Sequence, residues 1–259
     1  MAECIHGFDE GECDICFPRK APEPPVTVAA TATRTAPRVS TPKTRRLTDR
    51  PAGSPPKLPP FGSRRLYHVT HVRNLEAILR DGAIRAAGTE VDPEVDITAP
   101  VLRRLRAETS VGDERRVADF VPFALSTEAA WWRELREGAE GARWSAAARL
   151  AAPTEYVALV VAAERIGPDV VIAEGDSSAP ATHFLIGEPP RSLAIAARVD
   201  PELVTTEVLV ADRVPLEAVV LLGVPNEPMR SRVRQLFKAA DATPPKIVVH
   251  PPWFSPAEA

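Results

Sequence analysis

From Pro18 to Phe61 the chain is dominated by proline. Pro22, Pro24, Pro25, Pro37, Pro42, Pro51, Pro55, Pro56, Pro59 and Pro60 alternate with Thr, Ala, Ser, Arg and Lys. Each proline fixes φ and removes a backbone donor, and the residues between them are too small or too polar to bury much apolar surface. Such a stretch cannot build a core, so any fold must come from what flanks it. It divides the 259 residues into a short N-terminal piece, 1–18, a disordered basic linker, 19–62, and a main domain, 63–259. A linker of this composition is an extended tether that holds two modules at high local concentration without fixing their orientation.

Charge follows the same partition. Residues 1–18 carry five acids and no Lys or Arg, whereas residues 19–65 carry eleven basic residues against Glu23 and Asp49. The net charge of −3 therefore hides a basic arm on a mildly acidic domain. That arrangement suits a polyanionic partner such as nucleic acid, held through phosphate contacts. With 44% hydrophobic residues, no apolar run of roughly 18 and no signal-peptide order at the N-terminus, the chain reads as a cytoplasmic protein without a membrane span.

All three cysteines fall in the first piece: Cys4, Cys13 and Cys16, with His6 between the first two. In a reducing compartment these three thiols and one imidazole match the tetrahedral donor set of structural zinc, so residues 1–18 read as a small zinc knuckle. Gly7 and Gly11 supply the permissive backbone that a tight wrap around a metal needs. Incidental thiols on a disordered terminus are the competing reading.

The main domain is organised around Leu66-Tyr67-His68-Val69-Thr70-His71, a strand that runs into a helix carrying Val72, Leu75, Ile78 and Leu79 on one face. Thr70 is the expected N-cap and Gly82 the expected stop. His68, Thr70, His71 and Asn74 would then cluster at a helix N-terminus, where free N–H groups favour an anionic ligand such as a dinucleotide. Pro100 opens a second helix, with Arg103 and Arg106 on one face. Val117–Ser126 reads as a buried strand interrupted by Pro122, and Ser126 as the cap of a helix holding Trp131 and Trp132. Strands are expected over Tyr156–Ala162, Val170–Ala173, Thr205–Val210, Glu217–Gly223 and Lys246–His250. Glu174–Ser178 reads as a polar turn, and a helix capped by Asn226 runs to Ala240. Strands separated by irregular stretches, with three or four helices, indicate an α+β fold and not a doubly wound sheet.

Tyr67-His68-Val69-Thr70-His71 with Asn74-Leu75 and Gly82, Val117 to Phe123, Glu207-Val208-Leu209-Val210 and the terminal Pro252-Trp253-Phe254 occur here in an order that resembles the DarT family. These are NAD-dependent DNA ADP-ribosyltransferase toxins. The resemblance implies an ADP-ribosyltransferase-like mixed sheet with flanking helices. It also implies NAD as the cofactor-like substrate, a thymine or guanine base of single-stranded DNA as the acceptor, and a macrodomain antitoxin as partner. It places NAD against His68, Val69, Thr70 and Asn74, and makes Glu207 the catalytic carboxylate. An arginine ahead of the Val-Pro-Phe strand completes the set, with Arg106 the first choice and Arg103 the second. The chain departs from the pattern at Ala124-Leu125, where many members have an aromatic pair, and at His68, where arginine often stands.

Two rival functions fit the same residues. One keeps the reaction and moves the acceptor to RNA or protein. The other is a non-catalytic nucleic-acid-binding module with a decayed pocket. A metal-dependent nuclease fits poorly, because the main domain has no obvious metal-ligand spacing.

Overall fold

The computed structural model describes residues 58–256 apart from 90–92, 113, 168 and 180. Cys4, His6, Cys13 and Cys16 lie outside the described residues, as does nearly all of the Pro-rich linker. Among the described residues no helix is long and apolar enough to cross a membrane.

Among the described residues, twelve strands and six α-helices follow in chain order. Strand β1 (Arg65–His71) leads through α1 (Asn74–Asp81) to β2 (Ala83–Arg85), α2 (Pro100–Glu108) and the short β3 (Ser110–Val111) and β4 (Arg115–Arg116). Next come β5 (Phe120–Ala124), α3 (Ala130–Arg136), α4 (Ala146–Leu150), β6 (Tyr156–Ala162), β7 (Val170–Ala173) and β8 (Phe184–Ile186). The chain then forms α5 (Pro189–Ala196), β9 (Glu207–Ala211), β10 (Arg213–Pro215), β11 (Val219–Val224), α6 (Glu227–Ala239) and β12 (Lys246–Val249). Eight strands make one sheet, in the order β12-β11-β6-β1-β5-β9-β7-β8. All neighbours are antiparallel except β11 and β12, so the sheet is mixed.

The sheet is buried on both faces, which explains why β6 is a continuous apolar run with six buried residues in a row. One face packs Leu66, Leu159, Leu222 and Val208 against Leu75 and Leu79 of α1, Leu193 of α5 and Val233 and Phe237 of α6. The other face packs Val69, Ala158 and Tyr156 against Trp132 and Leu135 of α3, Ala148 of α4 and Phe254. The core reaches back to Phe61, which is buried ahead of β1.

Several sequence expectations hold. Helix α1 stops at Gly82, which takes φ 63° as a left-handed C-terminal residue and lets the chain reverse into β2. Pro100 is the first residue of α2, and the Asn226 side chain accepts the Met229 N–H to cap α6. Strands β6 and β7 have the expected limits.

Four expectations need correction. Thr70 does not cap α1, because β1 continues through His71 and the helix starts only after Arg73. Ser126 does not cap α3 either; its Oγ accepts the Glu128 N–H, and the helix begins at Ala130. The strand that begins at Glu207 is fully buried over its first four residues, not half-exposed, because it lies inside the sheet between β5 and β7. Helices α4 and α5 are additional to the three or four expected, since Ala-rich and Pro-Pro-initiated segments give weak periodicity.

Candidate active site

Strand β1 pairs with β6 over seven residues, from Arg65↔Ala162 to His71↔Tyr156, but meets β5 at a single register pair, Tyr67↔Ala124. Pro122 lies in β5 and has no N–H to give a ladder. Its carbonyl instead lies 3.1 Å from His68 Nδ1. A carbonyl only accepts, so Nδ1 carries the proton and Nε2 keeps its lone pair. Burial pushes the His68 pKa below the ordinary histidine value, against the opposing pull of the Pro122 bond. The ring is therefore a neutral acceptor beside the place where the sheet parts.

Strand β9 brings Glu207 to the same place. Glu207 pairs across the sheet with Ala124 on one side and Ala173 on the other, so two methyl groups flank the carboxylate and leave space above it. Only 7% of Glu207 is exposed. Burial raises its pKa, while the Arg106 guanidinium and the Ser177 hydroxyl and N–H hold it down and the Asp176 carboxylate pushes it up. The Ser177 N–H lies 3.2 Å from Glu207 Oε2, and Arg106 Nη1 donates to Ser177 Oγ at 2.6 Å.

His68, Glu207, Arg106 and Asp176 open onto a cavity of about 250 Å³. Ile78, Ile84, Leu102, Phe123, Trp131 and Trp144 form apolar walls, and His68, Arg106, Arg143, Asp176 and Glu207 supply charge and hydrogen bonds. An apolar cleft with a few convergent polar groups is the usual form of a small-molecule site. Among the described residues no group of three His, Cys, Asp or Glu side chains could hold a metal ion.

Six of the seven site residues singled out in this domain line the cavity: His68, Val69, Thr70, Asn74, Arg106 and Glu207. Val69 also packs in the core on the α3 side of the sheet. Arg103 does not line it; its Nη1 lies 3.3 Å from Asp96 Oδ2. The α1 N-terminus differs from expectation. Asn74 donates to Thr70 Oγ1 and to the Val95 carbonyl and accepts the Val95 N–H, which straps the 93–98 loop across the start of the helix. The Arg73 and Leu75 N–H groups bond to His71 Nδ1 and the Val72 carbonyl, so neither awaits an anion. His71 is buried, edge-on to Tyr156, and its Nε2 lies 3.9 Å from Glu155.

Sequence reasoning missed Ser177, Asp176, Arg143 and Trp144. Asp176 accepts from Ser178 N and Oγ, the Asx-turn signature that the Asp-Ser-Ser run could have disclosed. Arg143 Nη2 reaches Asp176 Oδ2 at 2.7 Å and its guanidinium lies over Trp144 at 5.1 Å. Nothing local in the sequence marks that partnership, because it joins segments 33 positions apart.

A family model described as "DarT: ssDNA thymidine ADP-ribosyltransferase, DarT" matches residues 67–255. The chain belongs to the DarT family. The match spans the whole sheet from Tyr67 onward and every residue of the cleft described above. Solved structures share the fold at low identity. Thermus sp. 2.9 DarT in complex with ADP-ribosylated ssDNA is 18% identical, with a TM-score of 0.60 over 74% of this chain and 96% of that one. The same DarT in complex with NAD+ is 19% identical, with a TM-score of 0.58 over 75% and 98%. Thermosipho africanus DarTG in complex with ADP-ribose is 17% identical, with a TM-score of 0.54 over 74% of this chain and 51% of that one. No curated protein matches the chain by sequence.

Proposed function

We propose that this DarT-family chain cleaves NAD in the cleft between β1 and β5 and transfers the ADP-ribose to a thymine base of single-stranded DNA, with Glu207 as the catalytic carboxylate. The observation that carries this reading is the buried Glu207, held by Ser177 and Arg106, on the cleft that His68 also lines. The thymidine in the family description favours thymine over guanine as the acceptor.

The chemistry asks for such a group. The bond between ribose C1 and the nicotinamide nitrogen breaks with its electron pair going to the departing nicotinamide, and positive charge builds on the ribose. A carboxylate held in a low-dielectric site stabilises that charge and can hold a ribose hydroxyl. A base nitrogen then bonds to C1 as its proton passes to water. Burial alone would favour the neutral acid, but the cationic nicotinamide ring of the substrate favours the ionised form again.

Arg106 brings a guanidinium cation, a planar donor with no acceptor. Its role is electrostatic: it stabilises the Glu207 carboxylate and the negative charge that develops on the acceptor base or resides on the pyrophosphate. His68, Val69 and Thr70 form the NAD-facing wall. Asn74 and Arg103 hold the 93–98 loop that closes it.

The Pro-rich basic arm holds the DNA strand near the cleft, and Cys4, His6, Cys13 and Cys16 bind structural zinc, a reading that rests on donor type and spacing alone. The protein acts in the cytoplasm and is countered by a macrodomain hydrolase that removes the modification; the Thermosipho DarTG structure supports such a pairing. Removing residues 1–54, which all lie outside the described residues, should weaken DNA binding and leave NAD cleavage intact. Elemental analysis of the purified full-length chain should read about one zinc per molecule, lost when Cys13 and Cys16 become serine.

The deciding experiment incubates the protein with NAD and a mixed-sequence single-stranded oligonucleotide, with RNA and duplex DNA in parallel. Mass spectrometry should show one added ADP-ribose on a thymine of the single strand, absent with Glu207→Gln. An adduct on RNA or on the protein, or an adduct that survives Glu207→Gln, overturns the acceptor or the catalytic assignment respectively.

A further inference from the structure

Ser177 is completely buried between Asp176 and Ser178, which line the cleft, and its backbone N–H and hydroxyl both meet charged partners. Its Oγ accepts from Arg106 Nη1 at 2.6 Å, and its N–H lies 3.2 Å from Glu207 Oε2. One small residue thus stands between the guanidinium from α2 and the carboxylate from β9. A serine suits that position because its hydroxyl accepts from the cation while its backbone N–H faces the anion.

The turn that carries Ser177 is built to hold it there. Asp176 Oδ1 accepts from Ser178 N at 2.9 Å and from Ser178 Oγ at 2.5 Å, and the Asp176 carbonyl accepts from Thr182 Oγ1 at 2.5 Å. Asp176 Oδ2 is anchored to Arg143 at 2.7 Å. The Ser177 N–H is thereby presented to Glu207, and its hydroxyl to Arg106, without the freedom of an ordinary surface turn.

We infer that Ser177 is a positioning residue of the transfer reaction: it bridges Arg106 to Glu207 and fixes the orientation of the carboxylate. The inference rests on Glu207 being the catalytic group. The charged and titratable groups around that carboxylate are Arg106 from α2, Asp176 with its partner Arg143 from the two loops, and His68 from β1, which lines the same cleft. Ser177 acts on Glu207 in the direction that opposes burial and Asp176. Loss of the hydroxyl therefore makes the carboxylate easier to protonate.

The test compares Ser177→Ala, Ser177→Thr and Glu207→Gln in the full chain, measuring NAD cleavage and DNA modification across pH. With Ser177→Ala, kcat should fall by about tenfold to a hundredfold, as for loss of a hydrogen bond to a charged group. KM for NAD should change by less than about threefold, as for a group that acts on the chemical step. The acidic limb of the kcat profile should move to higher pH, and Ser177→Thr should restore both rate and limb. In the Glu207→Gln background, Ser177→Ala should have no further effect. An unchanged kcat, or a lowered kcat with an unmoved limb, overturns the inference. If Ser177→Ala does not fold, Ser177→Cys keeps the volume with a weaker donor and must show the same limb shift in reduced size. Full activity in Glu207→Gln would instead remove the catalytic reading on which the inference stands, whatever Ser177→Ala shows.

Discussion

The two sides of β1 are built from the same kind of apolar strand but do opposite things. Toward β6 it forms seven register pairs, and the apolar side chains of β6 pack on both faces of the sheet. Toward β5 it forms one pair, and the ladder gives way to a side-chain bond from His68 to the Pro122 carbonyl. The closed side is where stability is stored and the parted side is where the cleft opens. The difference comes from a few residues: Pro122, which cannot extend a ladder, and Ala124 and Ala173, which leave space beside Glu207.

The largest effect that tests this contrast is expected on the parted side. Glu207→Gln should lower transfer by at least about a hundredfold, the scale of removing one electrostatic stabiliser from an enzyme site. The same change should stabilise the protein at neutral pH. Burial raises the Glu207 pKa in the folded state, so its contribution to stability is full at acid pH and is lost as the pH rises through the folded pKa. A glutamine carries no such penalty. Melting curves at neutral and acid pH should therefore show a gain for Glu207→Gln that disappears on acidification.

On the closed side the balance reverses. Leu159→Ala removes a completely buried side chain from the middle of β6 and should cost about 2–5 kcal/mol in denaturant unfolding. The KM for NAD of the folded fraction should stay unchanged, and a large KM change would mean that the two sides are not separate.

A smaller effect tests how well the closed side is satisfied. The Tyr156 hydroxyl is buried with no hydrogen-bond partner among the described residues, and its pKa is pushed up to about 12, chiefly by burial and also by Glu155. Tyr156→Phe keeps the edge contacts with His71 and Trp132 and should leave stability equal or raise it by up to about 1 kcal/mol. A clear loss would show that the hydroxyl has a bound partner in solution.

The sequence by itself determined the local elements. Periodicity placed α1 and its Gly82 stop, proline marked the start of α2, an uninterrupted apolar run located β6, and Asn226 fixed the start of α6. Each of these signals acts within a few residues, through φ restrictions, capping bonds or burial period. Family motifs added His68, Arg106 and Glu207, and all three line one cleft.

Only the tertiary structure decided which strands are neighbours and which of them part. Thr70 reads as a cap until β1 is seen to continue past it, and Glu207 reads as half-exposed until β9 is enclosed between β5 and β7. Ser177 and Arg143 were illegible because their partners lie tens of residues away, at Arg106, Glu207 and Asp176. A local signal cannot encode such distances. They are set when the apolar faces of the sheet are buried, and the polar groups at its parting take whatever partners that burial brings within reach.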